Sequence, residues 1–183
     1  FIPQGDRVAA ATGISEDGTF FSIGCRSAVL ATGGYAWIYL HNNNAPGIQG
    51  DGQTIAFSLG VPLKDMEFVQ FYPTAAGRRG SRLILYENML SRPGVVLCNA
   101  RGENILHRHG IEDPVSVPRD RLARIIAREI RDAEPPVPAV YMDMTALSEA
   151  AAEPLSAILP PGWWKGEKVF RVAPTAHFCM GGI

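Results

Sequence analysis

The 183-residue sequence contains little cysteine, and its three cysteines are scattered along the chain. Cys25, Cys98 and Cys179 form no CxxC pair. An odd and sparse set of thiols argues against a disulfide framework and a structural zinc site, and it favours a reducing compartment. The sequence also lacks an apolar run near the roughly 18 residues that a membrane-spanning helix needs. We therefore expect no direct membrane insertion.

An excess of charge of either sign is also missing. Seventeen Lys and Arg stand against 18 Asp and Glu, which leaves a formal net charge of −1. This balance gives no electrostatic footprint for nucleic acid or for anionic lipid. The 19 Gly and 14 Pro follow no period, which excludes collagen-like and low-complexity chains. The composition indicates a soluble, globular, cytoplasmic protein of one domain, or of one domain and part of another.

The N-terminal third predicts short strands. Arg7–Ile14 and Thr19–Ile23 are rich in small and β-branched residues on either side of the turn at 16–18, a pattern that predicts a hairpin. Ser27–Ala31 is a compact apolar run before a glycine pair, and we expect a buried strand there. Gln53–Leu59 follows an asparagine-rich loop and predicts a short helix that Gly60 ends.

The remainder of the chain mixes strands and helices. Met66–Phe71 alternates polar and apolar residues like a strand that Pro73 ends. The clearest helix is Pro118–Asp132, because its apolar residues recur at a spacing of 3.6. Thr145–Ile158 predicts a weaker helix that is interrupted at Pro154. Further strand-like stretches are Leu83–Leu85, Val95–Cys98 and Val140–Met142.

Three short motifs have both a functional and a plainer interpretation. ATGG at 31–34 is more often a turn than a nucleotide contact, and no G-x-G-x-x-G follows a strand anywhere in the chain. GDG at 50–52 offers backbone N–H groups beside a helix start, which suits a phosphate or an electron-rich ring, or else forms a tight turn only. His177, taken alone, is more readily a structural histidine than a catalyst.

Glu87 and Arg119 each occupy an unusual place in the sequence. Glu87 lies in the apolar stretch LILYEN, where an unpaired buried carboxylate costs several kcal/mol. Arg119 begins a helix, where the helix dipole disfavours a cation. The two side chains are therefore natural partners. The alternative is that Asp120, beside Arg119, compensates its charge.

Six motifs taken together carry a resemblance. In chain order they are SAVLATGG, GDG, DMEFVQFYPT, LYEN, PRDRLAR and PTAHFCMGGI. At these separations they resemble the succinate dehydrogenase/fumarate reductase flavoprotein family, which includes L-aspartate oxidase. The resemblance covers nearly the whole chain. It implies an FAD enzyme that moves a hydride between the flavin and the Cα–Cβ bond of a carboxylate substrate.

The resemblance also implies a fold and a place in a larger protein. The expected class is α+β, with a capping domain inserted into a Rossmann-like FAD-binding domain. Residues 1–70 would be part of the FAD-binding domain, 71–173 the capping domain, and 174–183 the start of the return segment. The family's glycine-rich phosphate motif has no counterpart here, so we expect an internal fragment that does not retain FAD alone. An electron-transfer subunit is an expected partner, and it would hold a cytoplasmic protein at the periphery of the inner membrane.

Matching positions carry the roles that the family implies. Arg119 aligns with the acid that gives a proton to the substrate carbon, and Glu87 with the glutamate that resupplies that proton. The expected substrate-binding residues are His177, Tyr72, Thr74 and Tyr86. The expected flavin contacts are Ala31, Thr32, Gly33, Gly34, Gly50, Asp51 and Gly52.

Three positions depart from the family pattern. Tyr72 stands where the family usually has His, Tyr86 where it has Thr, and Leu90 where it has Arg. A neutral phenol offers no positive charge to a carboxylate, and Leu90 removes a cation that in many members links the proton relay to solvent. We therefore expect a flavin oxidoreductase whose substrate need not be succinate or fumarate. The alternative is a solitary capping-type domain that binds a partner without flavin.

Overall fold

The computed structural model describes residues 1–76, 84–85, 87–133, 138–154 and 168–183. Its strands are β1 (Ile2–Gln4), β2 (Arg7–Ile14), β3 (Phe20–Gly24), β4 (Val69–Ala76), β5 (Val96–Asn99), β6 (Val140–Asp143) and β7 (Val169–Cys179). Its α-helices are α1 (Asp51–Ser58), α2 (Ile105–Arg108), α3 (Arg119–Arg131) and α4 (Glu149–Ala152). This mixture of helices with antiparallel sheets agrees with the expected α+β class.

The first sheet contains β1, β2 and β3 in that order, all antiparallel. Its register runs from Ala10 opposite Gly24 to Ile14 opposite Phe20, so the predicted hairpin is confirmed, with its second strand starting one residue later. The Asp17 carboxylate holds the turn by accepting from the Ser15 hydroxyl. This hydrogen bond and one from the Thr19 N–H lower the pKa of Asp17, because both favour the ionised carboxylate.

The second sheet has the strand order β4-β7-β6-β5, and every neighbouring pair is antiparallel. Strands β4 and β7 are about 100 residues apart in sequence but adjacent in space, with Tyr72 opposite Thr175. Helix α3 packs against this sheet through an apolar face that includes Leu122 and Ile126. The helix predicted at 118–132 is thereby confirmed.

We expect Ile126→Val to lower the free energy of unfolding by about 1 kcal/mol, because it deletes one methylene from a fully buried core position. Ile130→Val on the same helix is the matched control, since Ile130 is only partly buried against that core. Urea denaturation measures both effects. Equal losses for the two variants would contradict the packing described.

The strand expected at Ser27–Ala31 is wrong. This segment has no regular secondary structure, and the Val29 side chain is 91% exposed. An apolar run becomes a buried strand only when a neighbouring strand supplies hydrogen bonds and cover. Within the described part of the chain, no segment pairs with these residues.

The expectation that Pro73 ends its strand is also wrong. Strand β4 continues through Pro73 to Ala76. The register against β7 is irregular between Tyr72 and Ala75, so the missing N–H of Pro73 falls where the ladder is already interrupted. The strand also begins at Val69 rather than at Met66.

Two other predicted elements are shorter in the structure. The helix expected from Thr145 begins only at Glu149, after Ser148 as its N-cap, because residues 145–147 form a turn on the Asp143 carboxylate. Within 83–85, Ile84 forms a single bridge to Ala75. The polar, basic sequence at 77–81, which predicts a loop, lies outside the described residues, as do Leu83 and the positions 155–158 of the predicted helix.

Candidate active site

Three of the predicted site residues meet where α3 crosses the second sheet. Tyr72 lies on β4, His177 lies on β7, and Arg119 is the first residue of α3. The guanidinium carbon of Arg119 is 4.9 Å from the Tyr72 ring centroid. The His177 ring stands edge-on to Tyr72, with 5.4 Å between the ring centroids. Tyr72, only 1% exposed, therefore contacts both of the other residues.

Arg119 owes its position to the start of α3. Pro118 precedes it with a φ of −57°, a value that suits entry into a helix. The contact with Tyr72 is a cation–π interaction, which partly offsets the cost of a cation at the helix N-terminus. The Asp120 carboxylate pairs with Arg124 one turn later. Asp120, the alternative partner for Arg119, is therefore paired with another arginine.

A cavity of about 950 Å³ opens beside Arg119. It lies between the segment 39–41, β4 and α3, and most of its lining side chains are apolar, including Leu40, Phe71 and Ala123. Tyr39 packs edge-on against Phe71, with 5.7 Å between the ring centroids. Arg119 therefore lines an open cavity.

The ring of His177 is held by an asparagine that sequence reasoning missed. Both amide atoms of Asn43 lie next to His177 Nδ1, with Nδ2 at 2.9 Å and Oδ1 at 3.0 Å. The Asn44 side chain donates to the backbone carbonyl of His177 at 2.9 Å. The available signal was the run of three asparagines at 42–44, which we interpreted only as a loop.

Backbone hydrogen bonds fix this loop on β7. The Ala176 N–H donates to the His41 carbonyl at 2.8 Å, and the Asn43 N–H donates to the Ala176 carbonyl at 3.2 Å. Asn42, which is 5% exposed, donates through Nδ2 to the Tyr39 carbonyl at 2.7 Å. The loop is thus hydrogen-bonded to β7 at Ala176, the residue that precedes His177.

Thr74 lies in the interior, and its hydroxyl donates to the Leu85 carbonyl. The Leu85 N–H returns a hydrogen bond to the Thr74 carbonyl at 3.0 Å. Thr74 therefore ties the segment just before Glu87 to β4. The side chain of Glu87 and all of Tyr86 lie outside the described residues, so the pairing of Glu87 with Arg119 stays a prediction.

Leu90, at the position where the family usually has Arg, is 5% exposed and belongs to the hydrophobic core. It packs in the same cluster as Leu85 and Met89. Leu90 is uncharged and buried, so it does not supply the cation that the family usually has at this position.

A second group of predicted residues surrounds a small cavity of about 300 Å³. Residues 30–33, 52–53 and 180–183 line it. Gly52 lies directly against the Thr32 side chain, which a Cβ atom on Gly52 would overlap. Gly50 precedes α1 with a φ of +93°, a conformation that favours glycine. The ATGG and GDG motifs therefore meet, together with the C-terminal glycine pair.

Gln53 is a further residue of this cavity that the sequence did not single out. Its Nε2 donates to the Gly33 carbonyl at 3.1 Å. Its Oε1 is buried and has no hydrogen-bond partner among the described residues. A buried acceptor next to bare backbone fits a planar ligand with N–H donors, and the flavin ring of FAD meets that requirement.

Gly34 and Tyr35 connect this region to β7. Gly34 packs against the Cys179 side chain, and the Tyr35 N–H donates to Cys179 Sγ at 3.3 Å. Burial raises the pKa of the Tyr35 phenol, and the neighbouring Cys179 thiol adds to the effect. The phenol therefore stays protonated and donates to the Met66 carbonyl at 2.5 Å.

The described ranges contain neither a cluster of metal ligands nor a membrane-spanning helix. Among these residues no group of three His, Cys, Asp or Glu side chains could hold a metal ion. In the same part of the chain no helix is both long and apolar enough to cross a membrane.

Comparison with known proteins gives one family. Residues 3–183 match the family model of the FAD binding domain. The chain is 34% identical to the fumarate reductase flavoprotein subunit of Escherichia coli K12 over 91% of its length, and 33% identical to L-aspartate oxidase of Bacillus subtilis over 85%. It is 32% identical to the mitochondrial succinate dehydrogenase (ubiquinone) flavoprotein subunit of Oryza sativa over 92%. These alignments cover 31%, 29% and 28% of the three relatives, so the chain spans about a third of their length.

Solved structures share the fold. A variant of Escherichia coli quinol fumarate reductase FrdA matches with a TM-score of 0.77 at 30% identity, over 98% of this chain and 34% of that chain. Mycobacterium smegmatis Sdh1 matches with a TM-score of 0.77 at 29% identity, over 100% of this chain and 32% of that chain.

Proposed function

The chain belongs to the FAD-binding family that contains the fumarate reductase and succinate dehydrogenase flavoproteins and L-aspartate oxidase, and we propose that it carries the proton-donating part of such an oxidoreductase. The proposed reaction exchanges a hydride with the Cα–Cβ bond of a carboxylate substrate. The observation that carries this proposal is the contact of Tyr72 with both Arg119 and His177. A non-catalytic binding module is not favoured, because the match to the FAD-binding family covers nearly the whole chain.

We propose Arg119 as the proton donor. Bound FAD would supply hydride chemistry at one carbon of the substrate double bond. Arg119 would give a proton to the neighbouring carbon. A guanidinium group holds its proton very tightly, so it can act as an acid only if another group resupplies the proton at once. Glu87 is proposed for that resupply. Thr74 supports it, since its hydrogen bond to Leu85 positions the segment that leads to Glu87.

We propose His177 as the ligand of a substrate carboxylate. Its ring contacts Tyr72, and Tyr72 in turn contacts Arg119, so a carboxylate held by His177 lies near the proposed donor. Tyr72 and Tyr86 complete the proposed substrate-binding set. Arg119 lines the larger cavity, through which we propose that the substrate enters.

We propose that the smaller cavity holds the flavin. Ala31, Thr32, Gly33 and Gly52 would supply backbone contacts, and Gln53 Oε1 would accept a hydrogen bond from the ring. Asp51, Gly50 and Gly34 support this surface, since Gly50 and Asp51 begin α1 and Gly34 packs on β7.

The expected division at residues 70 and 173 also stands as a proposal. Strands β4 and β7 each run across one of these boundaries. Tyr72 follows the boundary at residue 70, and His177 follows the boundary at residue 173. The site would therefore lie at the junction of a capping domain and an FAD-binding domain. The relatives named as flavoprotein subunits support an electron-transfer subunit as the partner, and with it a peripheral position at a membrane.

The FAD-loaded enzyme is here the longer protein that we expect this chain to belong to. We expect His177→Gln in that enzyme to raise the KM for an unsaturated carboxylate about tenfold, because the hydrogen bond to a charged group weakens. The measurement is the anaerobic reoxidation of the reduced flavin by a panel of α,β-unsaturated carboxylates. His107→Gln is the matched control, since His107 lies exposed on α2. If no carboxylate in the panel reoxidises the flavin of the unmodified enzyme, the proposed function is wrong.

A further inference from the structure

The contact between Asn43 and His177 has an unusual symmetry. The donor and the acceptor of one side-chain amide lie at nearly equal distances from one ring nitrogen, 2.9 Å for Asn43 Nδ2 and 3.0 Å for Oδ1. Either atom can therefore bond to Nδ1 without displacement of the ring. The backbone that carries this amide is held on β7, because the Asn43 backbone N–H donates to the Ala176 carbonyl and the Asn44 side chain donates to the His177 carbonyl.

We propose that Asn43 is a positioning residue that makes His177 present an Nε2–H donor in both of its protonation states. In the neutral ring, Asn43 Nδ2 donates to the Nδ1 lone pair, so the proton resides on Nε2. In the imidazolium, both nitrogens carry protons, and Nδ1–H donates to Asn43 Oδ1. The inference rests on the proposed role of His177 as the ligand of a substrate carboxylate.

An amide suits this task better than a carboxylate would. An aspartate at position 43 could only accept, so it would keep a proton on Nδ1 of the neutral ring. The neutral ring would then turn the lone pair of Nε2 toward the carboxylate, and the two would repel each other. With Asn43, His177 keeps its Nε2–H donor when the ring loses its positive charge.

Several described groups surround the His177 ring. Tyr72 on β4 contacts the ring edge, and Arg119 from α3 lies against the Tyr72 ring. The neighbouring loop contributes His41, whose backbone carbonyl accepts from the Ala176 N–H. On β7 the ring packs against Phe178, at 3.9 Å between the ring centroids, and Cys179 follows. Asn44 Nδ2 approaches Asn43 Oδ1 at 3.5 Å, which favours the orientation that directs Asn43 Nδ2 to the ring.

The test is Asn43→Asp in the FAD-loaded enzyme, with crotonate, an α,β-unsaturated monocarboxylate, as the probe and KM measured from pH 6 to 9.5. We expect the KM of this variant to rise about tenfold per pH unit above the pKa of its imidazolium, because only the protonated ring offers Nε2–H. The unmodified enzyme should show a much shallower dependence. Gln49→Glu is the matched control, because it adds the same charge to an exposed position of the same loop and should keep the shallow dependence.

A second measurement needs neither flavin nor turnover. Nitrogen-15 NMR of the chain distinguishes the protonated from the unprotonated ring nitrogen of neutral His177, and His177→Gln assigns its signals. We expect the proton on Nε2 with Asn43 and on Nδ1 after Asn43→Asp. A proton on Nδ1 of the unmodified chain overturns the proposal, and so does an Asn43→Asp enzyme with a pH-independent KM. Failure of the oxidoreductase function itself would leave the NMR result standing, so the two failures are distinguishable.

Discussion

Arg119→Lys is expected to lower the turnover of the FAD-loaded enzyme by roughly 10²- to 10⁴-fold, the range typical of a positioned general acid. Lysine keeps the positive charge but loses the planar guanidinium that lies 4.9 Å from the Tyr72 ring centroid. Its single ammonium group cannot reproduce both the stacking contact and the direction of proton delivery. The visible spectrum of the flavin should stay nearly unchanged, because Arg119 does not line the proposed flavin cavity.

Arg121→Lys is the matched control for this experiment. Arg121 lies exposed on the same helix and does not line the cavity beside Arg119. We expect its turnover to change by less than about twofold, since the substitution keeps the charge of an exposed side chain outside the site. Steady-state turnover and the flavin spectrum are measured for both variants. Unchanged turnover in Arg119→Lys would show that Arg119 is not the proton donor.

The elements that sequence predicted well are those whose pattern is local. Helix α3 shows its apolar residues at helical spacing, and the first hairpin has β-branched strands around a short turn. Ser27–Ala31 was mispredicted because its conformation depends on partner strands, and hydrophobicity alone does not supply them. Pro73 was mispredicted because an irregular register across from β7 tolerates a missing N–H, and that register is invisible in a linear pattern.

The site residues also fall into two groups, those that a local motif identifies and those that only a long-range contact brings into the site. Arg119, Tyr72 and His177 were identified through motifs, and the structure brings them together. Asn43 was missed because it contacts His177 across 134 positions of sequence, through a loop that is attached to β7. Gln53 was missed because its open acceptor is created only when Gly33 and α1 come together. Long-range pairing, rather than residue type, defines both contacts.

The structure makes the departure at Tyr72 more consequential than its sequence position alone suggests. The phenol ring is almost fully buried and touches both the proposed proton donor and the proposed carboxylate ligand. A neutral phenol therefore occupies the place where the family usually offers a histidine. Leu90, enclosed in the core, supplies no charge in compensation. At this position the second carboxylate of a dicarboxylate would meet one hydroxyl donor and no positive charge.

We therefore expect weak or undetectable fumarate reduction and succinate oxidation by the FAD-loaded enzyme. The loss of a charged partner for one carboxylate costs about 1.5–3 kcal/mol, or roughly tenfold to a hundredfold in binding. The double change Tyr72→His and Tyr86→Thr should raise fumarate reduction at least about tenfold by the same reasoning. Steady-state fumarate reduction with an artificial electron donor measures the effect, and Tyr141→His on β6 is the control that adds a histidine elsewhere in the same sheet. Unmodified rates of about 1–1000 per second at sub-millimolar fumarate would show that Tyr72 does not exclude a dicarboxylate, since such rates are typical of enzymes on their own substrates.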